Sequence, residues 1–514
     1  MRADASIGPY SVSFNILFSL DRRCPFSEKS KIFIKNAPAG FPRRALIIYR
    51  YLLFVLVLDL AGGQADLLDA AVRGAGDGAV KVAPDKFVAH LGSYFLQTLY
   101  GLADLFIIGQ FEGVASTTAV SIGSQVMHML TVMIVGLAMG STVCIGQAVG
   151  AGDKKHASAA IGNTVTLFML LSVVITALLL ALVRPIVSVM STPAEAADGT
   201  RAYLTICFIG IPFITAYNII SSIFRGLGDS KSPMIFIAVA CAANIALDYI
   251  FIGAMGLGPA GAALGTTLSQ AISVVFSLVV ILRRKSGISL ERRDLHPQRD
   301  TMGRLLRIGV PVAAQDGLIQ IAFIVITVIA NRRGLDAAAA VGIVEKIISF
   351  VFLVPSSMLS TVSALCAQNI GAGKQARAEQ TLRYAIIIAV SFGIIIALLT
   401  QFISEQAVGL FTPDAIVITL GGQYLRGYIW DALFAGIHFC FSGYFCACGR
   451  SEISFIHNIS AIALVRIPGV YLTSKLFPDT LFPMGLATAA GSLLSVIICV
   501  ITFALLKKHS VKSA

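Results

Sequence analysis

Twelve apolar stretches of membrane-crossing length, set one after another in a single chain, constrain this sequence more than any other feature. A hydrocarbon core of about 30 Å takes roughly 20 helical residues to cross. Runs that meet that length cover approximately residues 87–112, 116–147, 157–183, 198–224, 232–254, 259–283, 305–331, 337–368, 379–403, 416–446, 452–475 and 483–506. Several exceed one straight crossing, which implies tilt or extension beyond the bilayer. Lipid offers no hydrogen bonds to backbone N–H and C=O groups, so segments this apolar form helices that satisfy their own. The expected fold class is all-α, a polytopic membrane protein with twelve transmembrane helices. Charged residues make up 13% of the 514 residues, against about 25% in an ordinary soluble domain. That excludes a soluble enzyme.

The net charge of +12 would suit a nucleic-acid partner if the bases formed a surface, but they sit in short loops between apolar runs. Cytoplasmic loops collect Lys and Arg. Lys154 and Lys155, then Lys374, Arg377 and Arg383, fall in even-to-odd connections, and Arg283, Arg284, Lys285, Arg292, Arg293, Arg299, Arg304 and Arg307 crowd the central one. With Lys507, Lys508 and Lys512 near the end, both core termini are expected in the cytoplasm and the protein in the cell (inner) membrane. Arg332 and Arg333 break this bias once. No nucleic-acid partner is expected. Eight of the nine cysteines lie within apolar runs, where a thiol is a small hydrophobe, and no zinc spacing occurs.

The chain repeats itself. Gln147 to Gly152 reads Gln-Ala-Val-Gly-Ala-Gly and Gln368 to Gly373 reads Gln-Asn-Ile-Gly-Ala-Gly, an offset of 221. The same offset carries Gly113 to Gly334, Ala119-Val120 to Ala340-Val341 and Gly228 to Gly449, and Gly261 pairs with Gly485 at 224. Six helices return the chain to its starting side, so the halves form a parallel repeat about an axis along the membrane normal. The expected organisation is two six-helix lobes, 86–283 and 305–508, joined by a cytoplasmic linker at 284–304 and followed by a cytoplasmic tail at 509–514. The duplicated glycines are read as C-caps that turn each chain toward the next helix. They do not form a phosphate loop, because no Gly-Lys-Ser/Thr follows and no strand precedes, so ATP hydrolysis is not the energy source within this chain.

Ionisable groups inside apolar runs cost about 2.5 to 3.5 kcal/mol each at mid-membrane, so the few present are candidates for function. Asp104 lies in the first run, Asn244 and Asp248 share a face of the fifth at i, i+4, and Thr266 lies in the sixth. Two carboxylates, an amide oxygen and a hydroxyl suit a dehydrated Na+ or a relayed proton; hydrogen bonding to neighbouring helices is the plainer alternative. The offset carries Asn244, Asp248 and Asp104 to Val465, Gly469 and Val325, so the second half does not repeat the set. It holds instead Asp316, Glu345, Arg426, Asp431 and His438. Asp431, Asp316 and Glu345 are the candidates there for substrate or ion contact. Lys346 is expected to neutralise Glu345, and Arg426 either pairs with Asp431 across a turn and a half or lines a water-filled vestibule.

Four motifs in order resemble the multidrug and toxic compound extrusion (MATE) family: LYGLADLFIIGQFEG from Leu99, the duplicated Gln-x-x-Gly-Ala-Gly, RGLGDSKSPM from Arg225, and NIALDYIFIGAMGLGPAGAALGTTLSQ from Asn244. The resemblance covers roughly residues 86–508. It implies a two-lobed antiporter that exports organic cations or other drugs in exchange for Na+ or H+ by alternating access. The family's cation-coupling positions fall on Asp104, Asn244, Asp248 and Thr266. Many relatives carry a proline about fifteen residues before the first-helix Asp, where this chain has Ala89 and His90. A bending mechanism that relies on that proline is therefore in doubt, and sodium coupling gains. Expected partners are small-molecule drugs, organic cations and membrane lipids, with no cofactor beyond the coupling ion and a monomeric state. Tyr100, Met127 and Phe441 are candidates for lining a drug cavity, although such residues more often form core. A lipid-linked oligosaccharide flippase of the same superfamily is the alternative. It would favour bases inside the first-lobe helices, and between Phe87 and Leu282 they fall almost entirely at helix ends or in loops. No HExxH or GxSxG motif suggests an intramembrane enzyme.

Residues 1–85 are an atypical basic extension, with an apolar run from Ala45 to Leu60 interrupted by Arg50 and no signal-peptide order. The resemblance starts abruptly near Lys86, so much of this segment is expected to be a non-native start. Intact-mass measurement of natively expressed protein is expected to find a species lacking residues 1–85; a full-length mass would overturn that expectation.

Overall fold

A computed structural model describes residues 84–190, 192–283 and 291–512. All but the last two residues of the basic extension, and residues 284–290 of the expected linker, lie outside these. Among the described residues, eleven helices are long and apolar enough to cross a membrane, and one bent pair supplies another. In chain order they are α1 (Phe87–Phe111), α2 (Val114–Gly150), α3 (Lys154–Val189), α4 (Ala194–Ile209 with Ile211–Leu227), α5 (Lys231–Ala254), α6 (Gly258–Arg283), α7 (Arg299–Asn331), α8 (Leu335–Gly371), α9 (Gln375–Gly409), α10 (Ala415–Ala447), α11 (Ser451–Leu476) and α12 (Phe482–Lys508). No strand occurs among the described residues.

Local chemistry explains the irregular helices. The two pieces of α4 meet at 49°, at Gly210, where Pro212 begins the second piece and cannot donate to the first. A π-turn at Ile462–Arg466 in α11 is followed by Pro468, whose missing N–H frees a carbonyl one turn earlier. The fifth helix of the first half also carries a π-turn, Tyr249–Ala254, immediately after Asp248.

Each half has its own core. In the first, Ile107, Val120, Met127, Tyr203, Phe208 and Ile252 pack together. In the second, the rings of Phe441 and Phe445 stack at 6.0 Å and Phe503 meets Phe441 edge-on at 5.7 Å. Met127 and Phe441 are buried among these core residues.

The halves meet along α2, which runs against α7 and the second part of α8. With lipid as the competing solvent there is little hydrophobic drive between helices, and close backbone approach has to supply the attraction. Glycine permits it. A Cβ on Gly140 would lie 2.2 Å from the carbonyl oxygen of Leu305, and one on Gly309 would lie 2.2 Å from that of Leu137. The hydrogen bonds joining the halves are grouped toward the end where the duplicated Gln-x-x-Gly-Ala-Gly motifs sit. His90 meets Thr361 at 2.8 Å, Tyr94 meets Ser360 at 2.8 Å, and Arg304 donates to Gln147 at 3.0 Å. The short turn Arg292–Leu295 that precedes α7 is fastened to α3, where Thr166 donates to the Leu295 carbonyl at 2.8 Å and Asn163 accepts from the Gln298 amide at 2.7 Å.

Gly140→Ala is expected to lower the apparent melting temperature in detergent, because overpacking against backbone costs about 1 to 3 kcal/mol. Gly342→Ala, which has open space around its Cβ position, should leave it unchanged.

Candidate functional site

Four polar residues from three helices converge inside the first half. Asp104 lies one turn after Tyr100 on α1, Asn244 and Asp248 occupy successive turns of α5, and Thr266 lies early in α6. Asp104, Asn244 and Asp248 are almost completely buried, and Thr266 is 7% exposed. The Thr266 hydroxyl donates to Asp104 Oδ2 at 3.0 Å, and Asn244 and Asp248 stand beside the same carboxylate. The Tyr100 hydroxyl donates to the Thr266 carbonyl and meets Ser269 Oγ, both at 3.0 Å, which fixes α1 against α6 next to Asp104. Asp248 rests on bare backbone, since a Cβ on Gly265 would lie 2.0 Å from its Oδ1.

The hydrogen bonding of this cluster is incomplete. Asp104 Oδ1, both carboxylate oxygens of Asp248 and both polar atoms of the Asn244 amide are buried with no well-formed hydrogen bond, and the three side chains have only one another close by. Neither acid has a basic partner among the described residues. A buried polar atom left unpaired costs about 1 to 3 kcal/mol, and an ionised carboxylate more. The cluster can discharge that cost by taking protons or a cation held by hard oxygen donors.

The second half is built differently. Asp431 of α10 pairs with Arg466 of α11 at 2.5 Å, and the same Nη2 donates to Ser492 of α12 at 3.2 Å. Arg426 is not the partner of Asp431: it pairs with Glu405 of α9 at 2.9 Å and donates to Ser404 at 2.7 Å, on the half-exposed outer side. Five residues along a helix place two side chains on nearly opposite faces, so a direct Arg426–Asp431 contact is disfavoured by helix geometry. Lys346 makes no direct ion pair with Glu345 among the described residues, although its charge acts on that carboxylate. The lysine points outward, and Glu345 accepts instead from Thr327 of α7 at 3.2 Å. Asp316 sits at the seam, its Oδ2 2.8 Å from where a Gly136 Cβ would be. His438 packs against His457, ring centroids 5.6 Å apart, and His457 hydrogen-bonds Ser442 and Ser495. Asp316, Glu345 and Asp431 thus occupy three different settings. Arg466 went unnoticed in the sequence, although it lies well inside an apolar run; the insertion cost that singles out acids applies equally to it.

Twelve crossings in two repeated halves, with uncompensated acids enclosed in one of them, define a membrane transporter by class. The chain belongs to the MatE family, whose model matches residues 90–250 and 311–472. The second matched segment begins 221 residues after the first, the offset of the internal repeat. The chain is 29% identical over 389 residues to the probable multidrug resistance protein YoeA of Bacillus subtilis, covering 74% of this chain and 84% of that one. It is 24% identical to the multidrug export protein MepA of Staphylococcus aureus over the same shares of the two chains. Among solved structures, a MATE protein in the bent conformation superposes with a TM-score of 0.78 at 23% identity, covering 84% of this chain and 97% of the other. An outward-facing multidrug resistance MATE transporter superposes with a TM-score of 0.77, also at 23% identity, covering 82% and 95%. These relatives are transporters, and the chain is a transporter rather than an enzyme.

Arg466→Met is expected to cost about 3 to 5 kcal/mol by leaving the Asp431 carboxylate buried and unpaired. Adding Asp431→Asn should recover most of the lost thermal stability in detergent, whereas two independent losses would show that the pair is not the relevant interaction.

Proposed function

We propose that the chain is a secondary active exporter of cationic, amphipathic compounds that exchanges them for Na+ or H+ by alternating access of its two lobes. The observation that carries this reading is the incompletely paired acid cluster at Asp104 and Asp248. A cation or proton entering there satisfies the orphaned oxygens and removes the charge that would hold a cationic drug. Ion and drug then compete for the same carboxylates, and that competition is sufficient coupling. For sodium, Asp104, Asp248, the Asn244 amide oxygen and the Thr266 hydroxyl supply the donor types the ion requires.

Bases crowd the motif end of the bundle, which supports a cytoplasmic location for that end and for the core termini in the cell membrane. With the halves joined there, the resting state opens outward. The relatives named for multidrug resistance and export support the class of cargo. α1 runs unbroken through Ala89 and His90, and His90 bonds α8, where many relatives carry a proline. That favours sodium over a proline-dependent proton mechanism.

The decisive measurement is dye efflux from proteoliposomes under separately imposed Na+ and H+ gradients. One gradient should drive efflux in the native protein, and Asp104→Asn should abolish the coupling while leaving the protein folded. Efflux that ignores both gradients, or coupling that survives the substitution, would sink the proposal.

A further inference from the structure

The duplicated motif does more than cap helices. Gly152 and Gly373, with φ of 72° and 71°, occupy the left-handed positions expected of caps. The glycine two residues earlier in each copy serves another purpose. A Cβ on Gly150 would lie within van der Waals overlap of the Gln368 carbonyl oxygen, and a Cβ on Gly371 would lie 2.0 Å from the Gln147 carbonyl oxygen. The two copies therefore cross backbone to backbone, each glycine seated on the other copy's glutamine.

The glutamine side chains complete the exchange. Gln147 Nε2 donates to the Ala447 carbonyl at 2.8 Å, from α2 to the end of α10. Gln368 Nε2 donates to the Gly226 carbonyl at 2.9 Å, from α8 to the end of α4. Gly226 and Ala447 are themselves 221 residues apart, so the two bonds are one bond made twice about the repeat axis. Each crosses from one half to the other. Arg304 also donates to Gln147 Oε1 at 3.0 Å and so fixes which way that amide faces.

We propose that Gln147 and Gln368 are gating residues, forming a two-fold latch that holds the motif end of the halves shut and must open in each transport cycle. Glutamine suits a latch. A neutral amide donates one bond to a carbonyl, strong enough to bias a two-state seam and weak enough to be released when ion or cargo shifts the balance. The glycines let the seam close until the amides reach across. The latch rests on the alternating-access reading, but it can be tested without a gradient, so the two can fail separately.

Two native thiols report on it. Cys144 and Cys448 are half-buried and flank Gln147 and Ala447, whereas Cys366, Cys440 and Cys499 are fully buried. The full-length protein in vesicles is treated with a small membrane-permeant maleimide, and labelling is read for each cysteine by mass spectrometry. Gln147→Ala with Gln368→Ala should raise labelling of Cys144 and Cys448 about tenfold, leave the buried three unchanged, and depress export. Each single substitution should raise both reporters, because the latch is shared. Gly371→Ala should open the same end by wedging the crossing. If the alanine pair labels every cysteine, it has unfolded, and Gln147→Glu decides instead, since it keeps its size and its Arg304 contact but cannot donate to Ala447. Unchanged labelling at Cys144 and Cys448 in folded variants, or export indifferent to them, overturns the latch.

Discussion

Backbone contact between α2 and α7 is the constraint on which the rest of the molecule depends. Two bundles immersed in lipid gain little from hiding leucine from hydrocarbon, so their association has to come from atoms brought closer than side chains normally allow. Gly140 against Leu305 and Gly309 against Leu137 provide that approach. The closest points of the seam are backbone contacts at glycines rather than interlocked polar side chains. The acid cluster of the first half lies on α1, α5 and α6, away from the α2–α7 line, and can change its charge without dismantling the contact that holds the halves together.

The two interiors are opposites in charge balance. The first holds Asp104 and Asp248 with no basic partner among the described residues, and the buried Asn244 beside them. The second holds Asp431 already answered by Arg466. A buried acid with its own guanidinium has little use for an added cation, whereas a buried acid without one has every use for it. The two halves share a chain trace and differ in what they can bind. That difference lies in the acids as well as their partners: Asp104, Asn244 and Asp248 have Val325, Val465 and Gly469 at the offset positions, and Asp431 has Arg466.

Much of this was legible in the sequence, for definite physical reasons. Run length fixes crossings because lipid tolerates no unpaired backbone, and the fixed offset reveals the repeat because duplicated glycines hold equivalent backbone positions. The residues brought together in the first half, Asp104, Asn244, Asp248 and Thr266, were visible because acids are expensive in apolar runs. The rest was hidden because side-chain direction depends on partners far along the chain. Arg426 looked like the neighbour of Asp431 until the position of α9 turned it toward Glu405. Gly150 and Gly371 read as helix punctuation because their partners, Gln368 and Gln147, lie more than 200 residues away. Arg466 was passed over because a base in a membrane protein is first read as a sign of topology.

The reciprocal crossing of the two motifs has the form of an isologous interface, in which a residue of one subunit touches a second residue of its twin and the twin returns the contact. The seam is a homodimer contact carried within one polypeptide. In a true dimer every substitution appears twice, so an acid or a base placed in one interior would have been placed in the other as well. Covalent fusion released the copies from that rule. One half could hold Asp104 and Asp248 where the other has Val325 and Gly469, and Asp431 with Arg466 where the first has Gly210 and Ile245, while the motif crossing kept its two-fold symmetry.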